Sequence, residues 1–119
     1  MRRTYRLRAS EDFQRVRQKG RTLVHPLLVI SVLSNGMPYS RFGFAVGRRL
    51  GEAVVRNRIK RRMRESVRVR VQKRLVAGGW DVVLIARVPM RVASFHQVDA
   101  AIGLMLHRAG LTSEVSEEA

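Results

Sequence analysis

A chain of 119 residues with 45% hydrophobic residues has room for one compact core and little prospect of a second domain. Its 24 Lys and Arg against 9 Asp and Glu give a net charge of +15, a self-repulsion that a polyanionic partner relieves, so nucleic acid leads the partner classes. The absence of cysteine excludes disulfides, a zinc knuckle and a thiol nucleophile. No apolar run approaches the roughly 20 residues of a membrane span, and the basic start Met1–Arg6 lacks a following apolar stretch, so a cytoplasmic address without membrane contact is expected.

Residues 1–9 read as a basic arm, mobile or ordered only on RNA. Ser10 is placed to cap a short helix, with Glu11 and Asp12 favourable to its dipole and Gly20 ending it. Phe13 on that helix is either a core anchor or an aromatic at the edge of a groove, able to stack on a base. Pro26 divides a short strand, Thr22–Val24, from a longer one, Leu27–Leu33, which is apolar on both faces and so central. Asn35-Gly36-Met37-Pro38 is turn chemistry that would return the chain as an antiparallel partner. That next strand alternates: Phe42, Phe44 and Val46 point one way, and Arg41, Gly43, Ala45 and Gly47 the other. A face of Gly and Ala leaves the backbone open to a closely packed helix or to a ligand strand.

A basic loop, Arg48–Gly51, leads into the most unusual stretch, Arg56-Asn57-Arg58-Ile59-Lys60-Arg61-Arg62-Met63-Arg64, in which six of nine residues are cationic. At about 100° per residue, Val55, Ile59, Met63, Ser66 and Val67 gather on one side of a helix, and Arg56, Asn57, Lys60, Arg61, Arg64 and Arg68 sweep the other. A merely solvated helix face mixes signs. Here only Glu65 offsets the repulsion, and a phosphate-bearing partner is the natural relief. The helix is expected from Glu52 or Ala53 to Val76, stopping at Gly78-Gly79. Trp80–Arg87 is the last strand, and if it pairs parallel with the Phe42–Val46 strand the basic helix is the crossover of a β-α-β unit. Ser94 and Gln97 form a capping box for a final helix, whose Val98, Ala101, Ile102, Met105, Leu106 and Ala109 belong to the core. Residues 112–119, with three Glu, read as a disordered acidic tail after a domain spanning 1–111.

No Ser, His and Asp set sits at catalytic spacing, and no Walker, zinc-finger or RRM signature occurs. His25, His96 and His107 lack metal-ligand spacing. No catalytic side chain, metal ligand or protein-held cofactor is therefore assigned.

Gly51-x-Ala53-Val54-x-Arg56-Asn57-Arg58-Ile59-Lys60-Arg61, preceded by Arg48-Arg49 and by the Phe-Gly-Phe-Ala-Val strand, resembles the signature of the bacterial ribonuclease P protein subunit. The order of the remaining motifs agrees, from Arg6-Leu7-Arg8 and Glu11-Asp12-Phe13 to Asp81–Arg87, so the resemblance covers roughly residues 6–110. It implies an α+β fold, a single-domain α-β-β-β-α-β-α sandwich whose small sheet is covered by helices, with a left-handed crossover against the usual preference. It also implies the accessory subunit of a ribonucleoprotein endonuclease that removes the 5′ leader of precursor tRNA, in 1:1 assembly with an RNA subunit that performs the hydrolysis with magnesium. By this resemblance Arg48, Arg49, Arg56, Asn57, Arg58, Lys60, Arg61 and Arg64 bind the catalytic RNA. Phe13, Arg17, Ser31, Arg41 and Ala45 fall in or beside the cleft that receives the leader, with Arg17 and Ser31 standing where many relatives have aromatics. DNA is not an expected partner. The rival classes are a structural RNA-binding protein that clamps folded RNA and a nuclease in its own right.

Overall fold

Seven elements form in the computed structural model, which describes residues 5–112: α1 (Ser10–Lys19), β1 (Arg21–Val24), β2 (Leu28–Ser34), β3 (Arg41–Ala45), α2 (Ala53–Gln72), β4 (Trp80–Ala86) and α3 (Phe95–Arg108). Single 3₁₀ turns at Arg48–Leu50 and Val88–Val92 lead into α2 and α3. The α+β fold and the α-β-β-β-α-β-α order are as the sequence suggests. The first four residues of the expected basic arm, and 113–119 of the expected tail, lie outside the described residues.

The sheet order is β1-β2-β4-β3, with β2 antiparallel to both its neighbours and β3 parallel to β4. The parallel pair makes α2 the crossover of a β-α-β unit, as the sequence suggests. The expected pairing of β2 with β3 through the 35–38 turn does not form, because β4 lies between them. The reason is burial: Val82, Val83 and Leu84 are apolar towards both faces and fully buried, which only an interior strand can satisfy. The turn instead ties to the entry of β4, through Asn35 N–H donating to the Gly79 carbonyl at 2.9 Å.

One face of the sheet, with Leu28, Ile30, Val32, Phe42, Phe44, Val82 and Leu84, packs against Ile59, Met63 and Val67 of α2 and Ile102, Met105 and Leu106 of α3. The capping box expected for α3 is present: Ser94 Oγ accepts from Gln97 N–H at 3.1 Å, and Gln97 Oε1 accepts from Ser94 N–H at 2.9 Å. The opposite face carries a smaller cluster of Leu7, Val16 and Val83, closed by Phe13, Leu33 and Ile85.

Several boundaries differ from the sequence reading. Ala9, not Ser10, caps α1; its carbonyl accepts from the Asp12 and Phe13 amides, and no side chain caps the helix. The described part of the arm is tied to the fold, since Leu7 is buried and its N–H donates to the Phe42 carbonyl at 2.8 Å, extending the sheet at the β3 edge. At the other end, Thr112 is buried and bridged to Val76, so the fold runs one residue past the expected domain limit.

The basic helix stops at Gln72, short of Val76. Leu75 N–H reaches back to the Arg70 carbonyl and Arg74 N–H to that of Val71, each at 3.0 Å, with Arg74 at φ 59°. This is a Schellman termination in which an arginine occupies the left-handed position that glycine usually takes. The glycines at 78 and 79 serve the next turn, Gly79 with φ 93°.

Candidate nucleic-acid interface

The seam Ile59, Met63, Ser66 and Val67 anchors α2 to the core and holds its opposite face outward. Arg48, Arg49, Asn57, Arg58 and Arg61 are exposed, and among the described residues their side chains, like that of Lys60, make no hydrogen bond or ion pair within the chain. Other cations of the run are engaged. Arg56 Nε donates to the Gly51 carbonyl at 3.1 Å, bracing the loop that precedes the helix. Arg62 Nη1 donates to the Ala93 carbonyl at 3.0 Å, tying α2 to the approach of α3. Arg68 forks onto Glu65 at 2.6 and 2.9 Å.

Arg64 lies with its guanidinium 6.0 Å from the centre of the Phe44 ring. Burial lowers its pKa, and the charge of Arg6 adds to the effect. That repulsion arises because the segment paired to the β3 edge brings Arg6 and Arg8 beside α2. Together with Leu7, Lys60, Arg64, Phe13, Phe42 and Phe44 they line a pocket of about 450 Å³. Four cations over an aromatic floor suit phosphate and base together. Arg6 and Arg8 were not among the sequence-derived site residues. The signal was the Arg-Leu-Arg alternation, a short edge strand with its middle residue turned inward.

The face of the sheet next to α1 gathers several of the cleft candidates. Register places Ser31, Val83 and Gly43 in one row, and Val29, Ile85 and Ala45 in the next. Phe13 rests on Gly43, where a Cβ would meet its ring, so the aromatic is both core anchor and groove wall. Ala45, Ile85 and Val29 are half-buried beside it, and Arg17 is exposed on α1. Ser31 is buried and its hydroxyl lies 3.0 Å from that of Thr22, so it is turned to a neighbour rather than to the groove.

Arg41 is held by Asp81, whose side chain is 0% exposed. Arg41 Nε donates to Oδ1 at 2.9 Å and Nη2 to Oδ2 at 2.7 Å, while Arg15 Nη2 reaches Oδ2 at 2.6 Å and Asn35 Nδ2 reaches Oδ1 at 2.9 Å. Burial would raise the Asp81 carboxyl, but the bonds from Arg41, Asn35 and Arg15 outweigh it, and its pKa lies below the ordinary aspartate value. One carboxylate thus gathers two arginines from α1 and β3, and Asp12 Oδ1, 3.3 Å from Arg15 Nη2, balances the second positive charge.

The profile of the family Ribonuclease P matches residues 1–110. The chain belongs to the ribonuclease P protein family. It is 45% identical to the ribonuclease P protein component of Roseiflexus castenholzii, over 99% of this chain and 96% of that one. Two solved structures share the fold: the RNase P protein of Staphylococcus aureus, with 31% identity, TM-score 0.83 and coverage of 92% and 98%, and that of Thermotoga maritima, with 34%, 0.78 and coverage of 87% and 96%. Membership implies a part in tRNA 5′ processing and an RNA subunit as partner.

In this ribonuclease P family chain no three His, Cys, Asp or Glu side chains come together as a cation site among the described residues. The two most tightly held carboxylates are already engaged: Asp81 as above, and Asp99 by Ser66 Oγ and Arg70 Nη1, both at 2.6 Å. No helix is long and apolar enough to cross a membrane among the residues described.

Proposed function

We propose that this chain is the accessory subunit of a ribonucleoprotein endonuclease in the bacterial cytoplasm, assembling 1:1 with a catalytic RNA and binding the 5′ leader of precursor tRNA. The observation that carries the reading is the continuity of one cationic surface, from Arg48 and Arg49 along Arg58, Lys60 and Arg61 to the pocket of Arg6, Arg8 and Arg64 beside Phe13. RNA phosphates on the outer face of α2 would engage Arg48, Arg49, Arg58, Lys60 and Arg61, with Arg56 and Asn57 at the head of the helix and Arg64 at its inner edge. A single-stranded leader would run past Phe13 and over Gly43, Ala45 and Ile85, held by Arg17 and by the outward N–H groups of the Arg15–Arg41 pair.

In this reading the protein changes binding and not bond-breaking. Bond cleavage is the work of the RNA with its magnesium, held by RNA oxygens; in the chain, buried Asp81 and part-exposed Asp99 are already engaged by arginine, amide and hydroxyl donors. Neutralised phosphates let two polyanions approach each other. With about six phosphates engaged, affinity falls roughly a thousandfold between 50 and 200 mM salt.

The deciding experiment is cleavage of a precursor tRNA at limiting magnesium by the RNA alone, the protein alone, both, and both with Arg58→Ala. Rescue by the pair only, weakened by Arg58→Ala, is the expected result. Unaltered RNA cleavage on adding protein points to a structural RNA-binding protein instead, and cleavage by the protein alone to a nuclease in its own right.

A further inference from the structure

One cavity lies away from the cationic surface. A groove of about 710 Å³ opens between the β1–β2 connection, the 3₁₀ turn at Val88–Val92 and α3, with Leu27, Pro89, Val92, Ala100 and Leu104 among its lining. It sits by β1, the sheet edge opposite β3, where the Arg6–Phe13 pocket lies. Its apolar surface continues outward: Val92 is 89% exposed, and Val88 and Phe95 beside it are 40% and 41% exposed. An apolar groove with a valine exposed at its mouth, on so charged a chain, marks an interaction surface.

The rim is charged in one sense. Arg87 donates from Nη1 to the His25 carbonyl at 3.1 Å, Arg108 lies close enough to join burial in lowering the His25 pKa, and Arg91 stands within the 3₁₀ turn. All three arginines are exposed, and no acidic residue lines the groove. Asp99, the nearest acid on α3, is turned to Ser66 and Arg70 on α2.

We infer that this groove docks an acidic amphipathic helix of a protein partner, leucine-like side chains on its floor and carboxylates on Arg87, Arg91 and Arg108. An aliphatic floor with an arginine rim is the complement of such a helix. A second copy of the chain would bring the same three arginines against themselves across a two-fold axis. An RNA strand would use the arginines and meet Phe95 at the margin, but it would leave the aliphatic Leu27, Val92 and Leu104 of the groove uncovered. The groove and the cationic pocket lie at opposite edges of the sheet, so both can be filled at once. The inference is independent of the proposed RNA contacts.

The test is a titration of the isotope-labelled full chain with a synthetic helical peptide bearing leucines at i, i+3, i+4 and i+7 and glutamates elsewhere, and with a sibling carrying lysines for glutamates. The expected result is amide shifts at 25–27, 88–97 and 100–104 with the acidic peptide alone. Val92→Ser and Val92→Asp each weaken it, the latter about tenfold, while affinity for RNA stays unchanged. Because Val92 is a surface side chain, both variants fold. Shifts confined to the Arg48–Arg64 surface overturn the inference, as does equal binding of the lysine peptide. A dimer in sedimentation that Val92→Asp dissolves assigns the groove to a second copy, and loss of RNA affinity in that variant assigns it to RNA; either result also overturns it.

Discussion

The ring of Phe13 lies over Gly43 so closely that its Cε1 would stand 2.8 Å from any Cβ at that position. The contact joins the first helix to the edge strand, and it exists because residue 43 has no side chain. Gly43→Ala must therefore displace the ring or the helix that carries it. We expect a loss of about 1–3 kcal/mol in chemical denaturation and weaker binding of precursor tRNA, with affinity for leaderless tRNA kept. Equal weakening of both substrates would remove Phe13 from the leader groove.

Asp81 and Arg41 supply a second prediction. Removing one partner of a buried ion pair strands the others, and since both arginines are partly solvated the cost of Asp81→Asn falls at the lower end, about 3 kcal/mol. The sign with pH follows from the depressed carboxyl: its stabilisation is complete above the unfolded pKa near 4 and is lost as pH falls through the lower folded value. Wild-type stability should fall as pH drops below about 4. Asp81→Asn should lose less over that interval, as read by urea midpoints across an acid series.

The end of α2 gives a third. Arg74 holds the left-handed position of a Schellman motif at φ 59°, which is unfavourable for a residue with a Cβ. It is exposed, and no hydrogen bond of its side chain is at stake among the described residues. Arg74→Gly should raise stability by about 1 kcal/mol, seen as a higher thermal midpoint. An unchanged or lower midpoint would mean that the unfolded chain gains more freedom from glycine than the folded one gains relief.

These sites also show what the sequence makes legible. Helical spacing identifies the seam Ile59, Met63 and Val67 and the outward Asn57 and Arg61, because a single amphipathic helix carries its own period. The capping box at Ser94 and Gln97 is equally local. Long-range order is not. That β4 enters between β2 and β3 depends on which strand must be buried on both sides, and the turn at 35–38 is compatible with either pairing. The expected helix end at Gly78-Gly79 failed for a related reason: the backbone turns at Arg74, a residue type whose propensity gives no sign of it. Ser31, which alternation puts on the groove face, is closed off by Thr22 and its neighbours.

Arg58 and Arg62 differ by one turn of the same helix and should differ in kind. Arg58 is exposed with no partner among the described residues, whereas Arg62 spends a guanidinium N–H on the Ala93 carbonyl at 3.0 Å. If phosphates meet the outer face of α2, Arg58→Ala lowers the slope of log affinity against log salt by about 1 and leaves the denaturation midpoint unchanged. Arg62→Ala has the opposite profile, a loss of about 1–2 kcal/mol from the unsatisfied carbonyl and the untied helix with the salt slope little altered. Filter binding to the RNA subunit across a salt series, together with urea denaturation of both variants, measures the two quantities separately. Equal changes of slope would mean that Arg62 leaves Ala93 to meet a phosphate on binding, and that the cationic face is wider than the free chain displays.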